Sequence, residues 1–378
     1  MIYFDNAATT KVSDAAAKKA LELMTESYGN PSSVHDFGYE AEKTLKSSRK
    51  KILLHLGSQN RADDFIFTSG GTEANNLAVF GALSARKHCG STVFFSDSEH
   101  ASVYNISKEL ASRGYTVKYI PTRGGKLDLD YCAKEFSSDT NLISCMYANN
   151  ETGAKYDIAA LSQLRKKICP SALLHTDAVQ AFGKTYEPLC SCGADLISVS
   201  GHKIHAPKGV GGLFISSGTR INGIILGGGQ EKDIRPGTEP LPLIAAFAEA
   251  CEEIFDAKKI KAVEKLKNHL TEKVLSELPE VKINVPAVSV PHVVSLTLPA
   301  IKSEVMLRFL SAKDIYISAG SACSSKHREN RVLAAFGLDA KNADYTIRVS
   351  FSDYNTTSEI DEFISELSLG INSLVSLK

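Results

Sequence analysis

Two residues near the middle of the chain have side chains that could share one chemical task. Asp177 follows the apolar stretch Leu173–Thr176, and Lys203 follows a second one, Leu196–Val199. If these stretches are buried strands, the acid and the amine lie at the same edge of a sheet. The lysine could then hold an aldehyde cofactor as a Schiff base, while the carboxylate keeps a pyridine nitrogen protonated, as pyridoxal phosphate chemistry requires. On the pair alone, a strand-end carboxylate and a solvated lysine are an equally good interpretation.

A glycine-rich turn lies upstream of this pair. Residues Thr68–Asn76 have the sequence Thr-Ser-Gly-Gly-Thr-Glu-Ala-Asn-Asn, which follows one apolar stretch and opens a helical pattern. The start of a helix presents free backbone amides and a positive dipole end to a phosphate, and Thr72 adds a hydroxyl. Alternatively, Thr72 is only a helix cap and the glycines only permit the bend. Beside Lys203, phosphate binding is the favoured interpretation.

Alternating strand and helix patterns must position these groups. The amphipathic helices predicted between strands include Glu73–Arg86, Val103–Ser112 and Ile158–Ile168. Such alternation predicts an α/β fold with a large domain built on a mainly parallel seven-stranded sheet, and its ligands at the carboxyl ends of the strands. The predicted strands are Phe65–Ser69, Thr92–Ser96, Val117–Pro121, Leu142–Met146, Leu173–Thr176, Leu196–Val199 and Gly212–Ile215.

The pattern changes after about residue 250 and predicts a second, smaller α+β domain. We expect the large domain to span 14–252 and the small domain to comprise 1–13 and 253–378. The elements expected there are a long charged helix Ala245–Leu278 on which the domain is hinged, a strand-like run Val288–Leu298, a helix Glu304–Ala312, a strand Thr346–Ser350 and a helix Ser358–Leu374.

Bulk composition excludes several classes of protein. The 378 residues are 43% hydrophobic and 23% charged with zero formal net charge, so neither nucleic acid nor a membrane surface is an expected partner. The N-terminus lacks the pattern of a signal peptide, and we expect a cytoplasmic protein. Its eight dispersed cysteines are expected to be thiols. Cys190 and Cys192 form the only close pair and lack further zinc ligands, so no metal site is expected.

With these features in place, the chain resembles the cysteine desulfurases, which are class V, fold-type I enzymes dependent on pyridoxal phosphate. The resemblance extends from Tyr3 to the C-terminal helix and rests on many motifs in order. They are Asp-Asn-Ala-Ala-Thr-Thr at 5–10, Gly-Asn-Pro-Ser-Ser at 29–33, Thr-Ser-Gly-Gly-Thr-Glu at 68–73, Glu-His at 99–100, Asn-Asn-Glu-Thr-Gly at 149–153, His-Thr-Asp-Ala-Val-Gln at 175–180, Gly-His-Lys at 201–203, Arg-Pro-Gly-Thr at 235–238 and Gly-Ser-Ala-Cys-Ser-Ser at 320–325.

The resemblance implies a role for each residue around the cofactor. Lys203 carries the Schiff base, Asp177 pairs with the pyridinium nitrogen, and Gln180 contacts the phenolic oxygen. His100 stacks over the ring and shuttles protons, although an isolated histidine is more often structural. Further cofactor contacts are implied for Gly71, Thr72, Asn150, Ser200 and His202.

Two other implications concern the substrate and the oligomer. Arg348 provides the planar cation that a substrate carboxylate needs, assisted by Asn150 and Asn6. Taken alone, Arg348 is more simply interpreted as a strand-edge arginine exposed to water. Thr238 is implied to reach the phosphate of the neighbouring subunit, which predicts a homodimer with shared sites.

Cys323 selects the reaction, because the fold and the lysine alone support several. A thiolate can attack the sulfur of L-cysteine and retain it as a persulfide, leaving L-alanine. Small polar neighbours and the basic residues His327, Arg328 and Arg331 suit a mobile arm with a reactive thiolate. The segment from Cys323 to the helix near Val332 is about one residue shorter than in housekeeping relatives, which leaves the mobile-loop assignment standing.

The sequence leaves the sulfur acceptor open between an iron–sulfur scaffold, a tRNA-thiolation protein and a thiamine-pathway carrier. A selenocysteine lyase and another class V aminotransferase-like enzyme are the enzymatic alternatives. A catalytically idle scaffold that binds sulfur carriers is the alternative from another class.

Overall fold

A computed structural model describes residues 1–60, 64–319 and 330–375 of the chain. Its strands are β1 (Ile2–Tyr3), β2 (Asp64–Thr68), β3 (Thr92–Ser96), β4 (Thr116–Ile120), β5 (Thr140–Ser144), β6 (Leu173–Asp177), β7 (Leu196–Ser200), β8 (Gly211–Ile215), β9 (Lys282–Ile283), β10 (Val293–Thr297), β11 (Ile315–Tyr316), β12 (Ser318–Ala319) and β13 (Thr346–Ser350). Its helices are α1 (Asp14–Thr25), α2 (Asp36–Leu56), α3 (Gly71–Ala85), α4 (Ala101–Ser112), α5 (Leu129–Glu135), α6 (Ile158–Ile168), α7 (Leu241–Ile254), α8 (Ala257–Glu277), α9 (Ser303–Ser311), α10 (Arg331–Phe336), α11 (Ala340–Asp344) and α12 (Thr357–Val375).

The main sheet has seven strands in the order β2-β8-β7-β6-β5-β3-β4. β8 is antiparallel to both of its neighbours, and the other pairs in the sheet are parallel. The predicted mainly parallel seven-stranded sheet is confirmed, with each predicted strand shifted by no more than two residues. The structure also agrees with the predicted fold type.

Alternate strand residues enter two different apolar layers, one on each face of this sheet. Phe94 packs in the layer that includes α7, whereas its neighbours Val93 and Phe95 pack in the layer that includes α3 and α4. Helices cover both faces because a strand with apolar residues on both sides needs a partner on each. Inside the sheet, the buried polar residues His175 of β6 and Ser198 of β7 bond to each other at 2.9 Å.

A second core joins the chain's N-terminus to its C-terminal third. Ile2 and Phe4 pack there with apolar residues of α8, α9, α12, β10 and β13. The associated sheet is antiparallel, in the order β12-β13-β10-β9, and β1 pairs with β11 in parallel. This separate core supports the division into a domain of 14–252 and one formed by 1–13 and 253–378, which stays a proposal.

The predicted long helix Ala245–Leu278 is wrong, because the structure has two helices there. α7 is nearly all apolar and packs against α1 and α2, whereas α8 is amphipathic and packs against α12. Between them the ring of Phe255 packs on that of Phe182, and the Asp256 carboxylate accepts a hydrogen bond from the Lys258 amide at 2.8 Å. The break is a capped helix start that helical periodicity alone does not reveal.

The strand-like run Val288–Leu298 is also shorter than predicted, because only Val293–Thr297 is a strand. Upstream, the Val288 carbonyl and the Val290 amide bond to Lys155 and Gly153 of another loop. Pro291 then interrupts the ladder because it has no amide hydrogen. Among the described residues, no helix is both long and apolar enough to cross a membrane.

Candidate active site

Several chain segments bring polar side chains to the carboxyl edge of the main sheet. Asp177 is the last residue of β6, and Ser200 is the last residue of β7. Lys203 closes a short 3-10 turn, Gly201–Lys203, directly after Ser200. α3 and α4 begin just beyond β2 and β3, which places Gly71 and His100 at the same edge. The sequence predicted this convergence from the strand pattern.

The amine of Lys203 contacts the N-terminal segment of the chain. Its Nζ donates hydrogen bonds to the carbonyl oxygens of Ala7 at 2.7 Å and Ala8 at 2.6 Å. Burial, reinforced by the positive charge of Arg348, lowers the pKa of Lys203 to about 8, while Asp5 and Asp177 oppose the shift. An amine with this pKa has a larger neutral, nucleophilic fraction near neutral pH than an ordinary lysine.

Asp177 is buried and held in one orientation by two donors. Asn75 Nδ2 donates to its Oδ2 at 2.7 Å, and the Val179 amide donates to its Oδ1 at 3.0 Å. Asn75 Nδ2 also donates to Ser102 Oγ at 2.9 Å, which links α3 to the first turn of α4. Asn75 therefore organises the site, and no role was predicted for it from the sequence. Its only signal was its position four residues after the glycine turn.

His100 is the N-cap of α4. Its Nδ1 accepts a hydrogen bond from the Ser102 amide at 3.2 Å and lies 2.8 Å from Ser102 Oγ, leaving Nε2 on the opposite side of the ring. The pKa of His100 is lowered, first by loss of hydration, and Lys203 and Arg331 act in the same direction against Asp177. A neutral imidazole is therefore favoured near neutral pH, which suits proton transfer.

The start of α3 forms a cradle suited to a phosphate. Gly70 has φ of 151° and provides no side-chain cap, so the first amides of α3 are not satisfied by one. A Cβ at Gly71 would lie 2.8 Å from Val179 Cγ2 and 3.6 Å from Ser200 Cβ, so only glycine leaves this space open. Thr72 is exposed at the same turn.

His202 and Gln180 both contact the N-terminal segment. His202 Nδ1 is 3.2 Å from Thr9 Oγ1, and burial lowers the pKa of His202 to about 4, with Lys203 adding to the shift. Gln180 Nε2 donates to the Ala7 carbonyl at 2.8 Å. His292 is a further residue that the sequence missed, and its Nε2 lies 3.2 Å from Gln180 Oε1. This contact orients the side-chain amide of Gln180.

Arg348 is a buried residue of β13 with two of its nitrogens anchored. Nη1 donates to the Asn150 carbonyl at 2.9 Å, and Nη2 pairs with Asp5 Oδ1 at 2.7 Å. Its Nε is buried and has no hydrogen-bond partner within the described parts of the chain. Exposure to water on a strand edge, the alternative interpretation of Arg348, is wrong because only 6% of the residue is exposed.

The side chain of Asn6 is engaged in hydrogen bonds within the structure. Its Nδ2 lies 3.1 Å from the carbonyl oxygens of Tyr3 and Ser350 and 3.2 Å from Asn355 Oδ1. These contacts hold the N-terminal segment to β13. The assisting role of Asn6 toward a substrate stays a prediction.

Two predicted residues cannot be placed beside the others. Cys323 belongs to 320–329, outside the described residues, as do His327 and Arg328. Thr238 is exposed at the surface, on a loop whose Arg235 pairs with Glu73 of α3 at 2.7 Å. The predicted reach of Thr238 to a neighbouring subunit stays a prediction.

Arg331 was expected to be part of the basic arm that carries Cys323. Instead, its guanidinium donates to the carbonyl oxygens of Asp97 and Glu99 and lies over the Tyr104 ring at 3.9 Å. Arg331 is therefore fixed on the main-sheet side of the molecule.

These residues fit pyridoxal phosphate. A partly buried amine of lowered pKa, a fixed carboxylate and an open glycine cradle match the aldehyde, the ring nitrogen and the phosphate of that cofactor. Within the described ranges, no group of three His, Cys, Asp or Glu side chains could hold a metal ion.

Comparisons with known proteins place this architecture in a family. Residues 2–363 match the family described as aminotransferase class-V. The cysteine desulfurase of Trichormus azollae is 36% identical over 372 residues, covering 96% of this chain and 91% of the relative. The cysteine desulfurase NifS of Azotobacter vinelandii is 36% identical over 371 residues, covering 97% and 91%. A solved structure titled NifS-like protein superposes with a TM-score of 0.91 at 33% identity, covering 100% of both chains. The chain therefore belongs to the class V aminotransferase family and, within it, to the cysteine desulfurases.

Proposed function

We propose that this chain is a pyridoxal phosphate-dependent enzyme that converts L-cysteine to L-alanine and keeps the sulfur as a persulfide on Cys323. The observation that carries the proposal is the partly buried amine of Lys203 at the same sheet edge as the fixed carboxylate of Asp177. Membership of the cysteine desulfurases supports the choice of reaction.

The cofactor, when bound, provides an electron sink for the bonds broken at the substrate's Cα. Lys203 Nζ would bond its aldehyde, Asp177 would face its ring nitrogen, and Gln180 would approach its phenolic oxygen. Gly71 and Thr72 would hold the phosphate, with Ser200, His202 and Asn150 contributing further contacts.

The remaining steps belong to the protein's own side chains. Arg348 holds the substrate carboxylate, while Lys203 Nζ takes and returns the proton at Cα. His100 moves the proton of a thiol, and the Cys323 thiolate attacks the substrate sulfur. The carbon–sulfur bond breaks as the sulfur–sulfur bond forms. Cysteine and the enzyme thiol thus become alanine and the enzyme persulfide, with atoms and electrons balanced.

We also propose that the enzyme is a cytoplasmic homodimer in which Thr238 serves the phosphate of the partner's site. Three consecutive apolar residues support an interface near this loop, since Ile224, Ile225 and Leu226 are 39%, 44% and 97% exposed in the single chain. The persulfide would pass to an iron–sulfur scaffold or a tRNA-thiolation protein.

Product analysis with L-cysteine tests the proposal. The enzyme loaded with pyridoxal phosphate is expected to form alanine and, with a reductant, sulfide in equal amounts. Cys323→Ala should lose both products while keeping the yellow cofactor, whereas Cys89→Ala, at a partly exposed thiol, should keep them. A keto acid in place of alanine would contradict the reaction, and a marked preference for selenocysteine would favour the lyase alternative.

A further inference from the structure

Arg331 connects two parts of the chain that are distant in sequence. It is the first residue of α10, which follows shortly after Cys323 and packs against the turn Arg123–Gly125. Its guanidinium extends to the turn between β3 and α4, where it donates to the carbonyl oxygens of Asp97 and Glu99. A cation with two donors in a fixed fork suits two carbonyl acceptors on one turn.

The side chain is further held by an aromatic surface on α4. The guanidinium carbon lies 3.9 Å from the centroid of the Tyr104 ring, which is a close cation–π contact. The Tyr104 amide in turn donates to the His100 carbonyl at 2.9 Å. Arg331 therefore contacts the chain on both sides of His100.

Other side chains complete the support of this turn. Asn149 Nδ2 donates to the Ser98 carbonyl at 3.1 Å, and Thr122 Oγ1 donates to Asp97 Oδ1 at 2.5 Å. The Glu99 side chain accepts bonds at 2.7 Å from Ser96 and 2.8 Å from the Met146 amide. All of these donors lie on the main-sheet side of the molecule. Arg331 of α10, in contrast to the donors just named, belongs to the C-terminal part of the chain.

We propose that Arg331 is a positioning residue that docks α10 on the β3–α4 turn and fixes the peptide carrying His100. Its bond to the Glu99 carbonyl sets the plane of the peptide that joins Glu99 to His100. Ser102 then fixes the ring through Nδ1, which leaves Nε2 without a bond to this turn. The consequence for catalysis rests on the proposed function, whereas the docking does not.

The charge of Arg331 also acts on the imidazole. The charged groups that act on His100 are Asp177 from β6, Lys203 from the turn after β7 and Arg331 from α10. Glu99 adds little negative charge near neutral pH, because burial raises the pKa of its carboxyl to about 8. Removing the cation of Arg331 therefore raises the pKa of His100. If neutral His100 is the active form, the acid limb of kcat/KM then moves to higher pH.

Three variants of the cofactor-loaded enzyme test the proposal. Arg331→Met removes charge and donors, while Arg331→Lys keeps the charge but loses the fork. Arg113→Met is the matched control, since Arg113 lies at the other end of α4, 4.9 Å from the Phe80 ring, and pairs with exposed Glu109. Amide hydrogen exchange across 97–104 and NMR titration of His100, assigned with His100→Gln, give readouts independent of turnover.

In Arg331→Met, the backbone amide hydrogens of residues 97–104 are expected to exchange about tenfold faster than in the wild type, and the pKa of His100 is expected to be raised. Arg331→Lys should exchange faster with little change in that pKa, and Arg113→Met should change neither. Unaltered exchange and an unaltered His100 titration in Arg331→Met would overturn the proposal. If Arg331→Met does not fold, amide exchange is measured in Arg331→Lys and Tyr104→Leu instead, and both are expected to exchange faster across 97–104. An inactive wild type would refute the proposed function and leave these two readouts valid.

Discussion

Breaking the buried ion pair between Arg49 and Glu231 should destabilise the loop that leads to Thr238. Arg49 of α2 donates to the two carboxylate oxygens of Glu231 at 2.8 and 2.6 Å, and the Phe67 amide donates to Glu231 Oε2 at 2.8 Å. The side chain of Glu231 is only 2% exposed, and that of Arg49 is 20% exposed.

The Arg49–Glu231 ion pair anchors a loop whose backbone conformation costs conformational free energy. Glu231, Lys232 and Asp233 have φ of 47°, 61° and 60°, and left-handed conformations cost a non-glycine residue roughly 1–3 kcal/mol each. Removing one partner of a buried pair costs about 3–5 kcal/mol, because it leaves the other charge uncompensated. Since Arg49 retains some exposure, we expect Arg49→Met to lower the free energy of unfolding by about 3 kcal/mol.

Urea unfolding of the cofactor-free protein at fixed concentration measures this loss. The variants are Arg49→Met, Glu231→Gln and the double variant, whose cycle isolates the interaction between the two residues. A coupling of about 2 kcal/mol is expected, because the double variant no longer buries an unpaired charge. If Thr238 serves the partner's phosphate, the Arg49 variant should also lose pyridoxal phosphate faster.

The same helix offers a matched control. Lys51 pairs with Glu249 at 3.9 Å, and their side chains are 41% and 37% exposed. Lys51→Met should therefore change the free energy of unfolding by less than about 0.5 kcal/mol. A cost of Arg49→Met no larger than that of Lys51→Met would refute a stabilising role for the buried pair, and so would simple addition of the two single changes at that pair.

Further predictions concern the cofactor site. The lowered pKa of Lys203 predicts that cofactor uptake by the cofactor-free enzyme rises with pH to a midpoint of about 8, since only the neutral amine attacks; a midpoint near 10.5 would contradict the burial argument. Asn75→Leu should weaken cofactor affinity about tenfold, because Asp177 loses a buried donor, while Asn76→Ala serves as the exposed-side control; equal affinities would exclude this role for Asn75. Gly71→Ala should weaken binding of free phosphate and of the cofactor together, because its methyl group occupies the cradle, and tighter phosphate binding would contradict that assignment.

The strands of the main sheet could be predicted because each is a short apolar run between polar turns. Thr92–Ser96 was predicted with the bounds that the structure has, and so was Ile158–Ile168 of α6. Burial of alternate residues on both faces leaves continuous apolar runs, which are a strong local signal. The predicted ends of β6 and β7 then indicated that Asp177 and Lys203 lie at one edge of the sheet.

The C-terminal third was less predictable, since its boundaries depend on tertiary contacts. The break between α7 and α8 depends on Phe255 packing against Phe182, which is far away in sequence. Likewise, the pairing of β1 with β11 joins short segments whose partners are set by the second core. Local propensity contains no information on such contacts.

The supporting residues of the site were missed for a related reason. Asn75 lies within the glycine-rich Thr68–Asn76 segment and His292 lies on a loop without a motif, and both contact the chosen residues only through the fold. Arg331 was identified as a basic neighbour of Cys323 in sequence, but its contacts lie on the β3–α4 turn. A residue's chemical type can be deduced from sequence, whereas its partner in space is fixed by the fold.

Mass analysis of Cys323 after one turnover tests the central claim most directly. The enzyme loaded with pyridoxal phosphate is mixed with L-cysteine, alkylated without reductant and digested with trypsin. The peptide Asp314–Lys326, whose only cysteine is Cys323, is expected to gain the mass of one sulfur atom, and the gain should disappear with reductant. Formation of alanine with no added sulfur on that peptide would contradict the account.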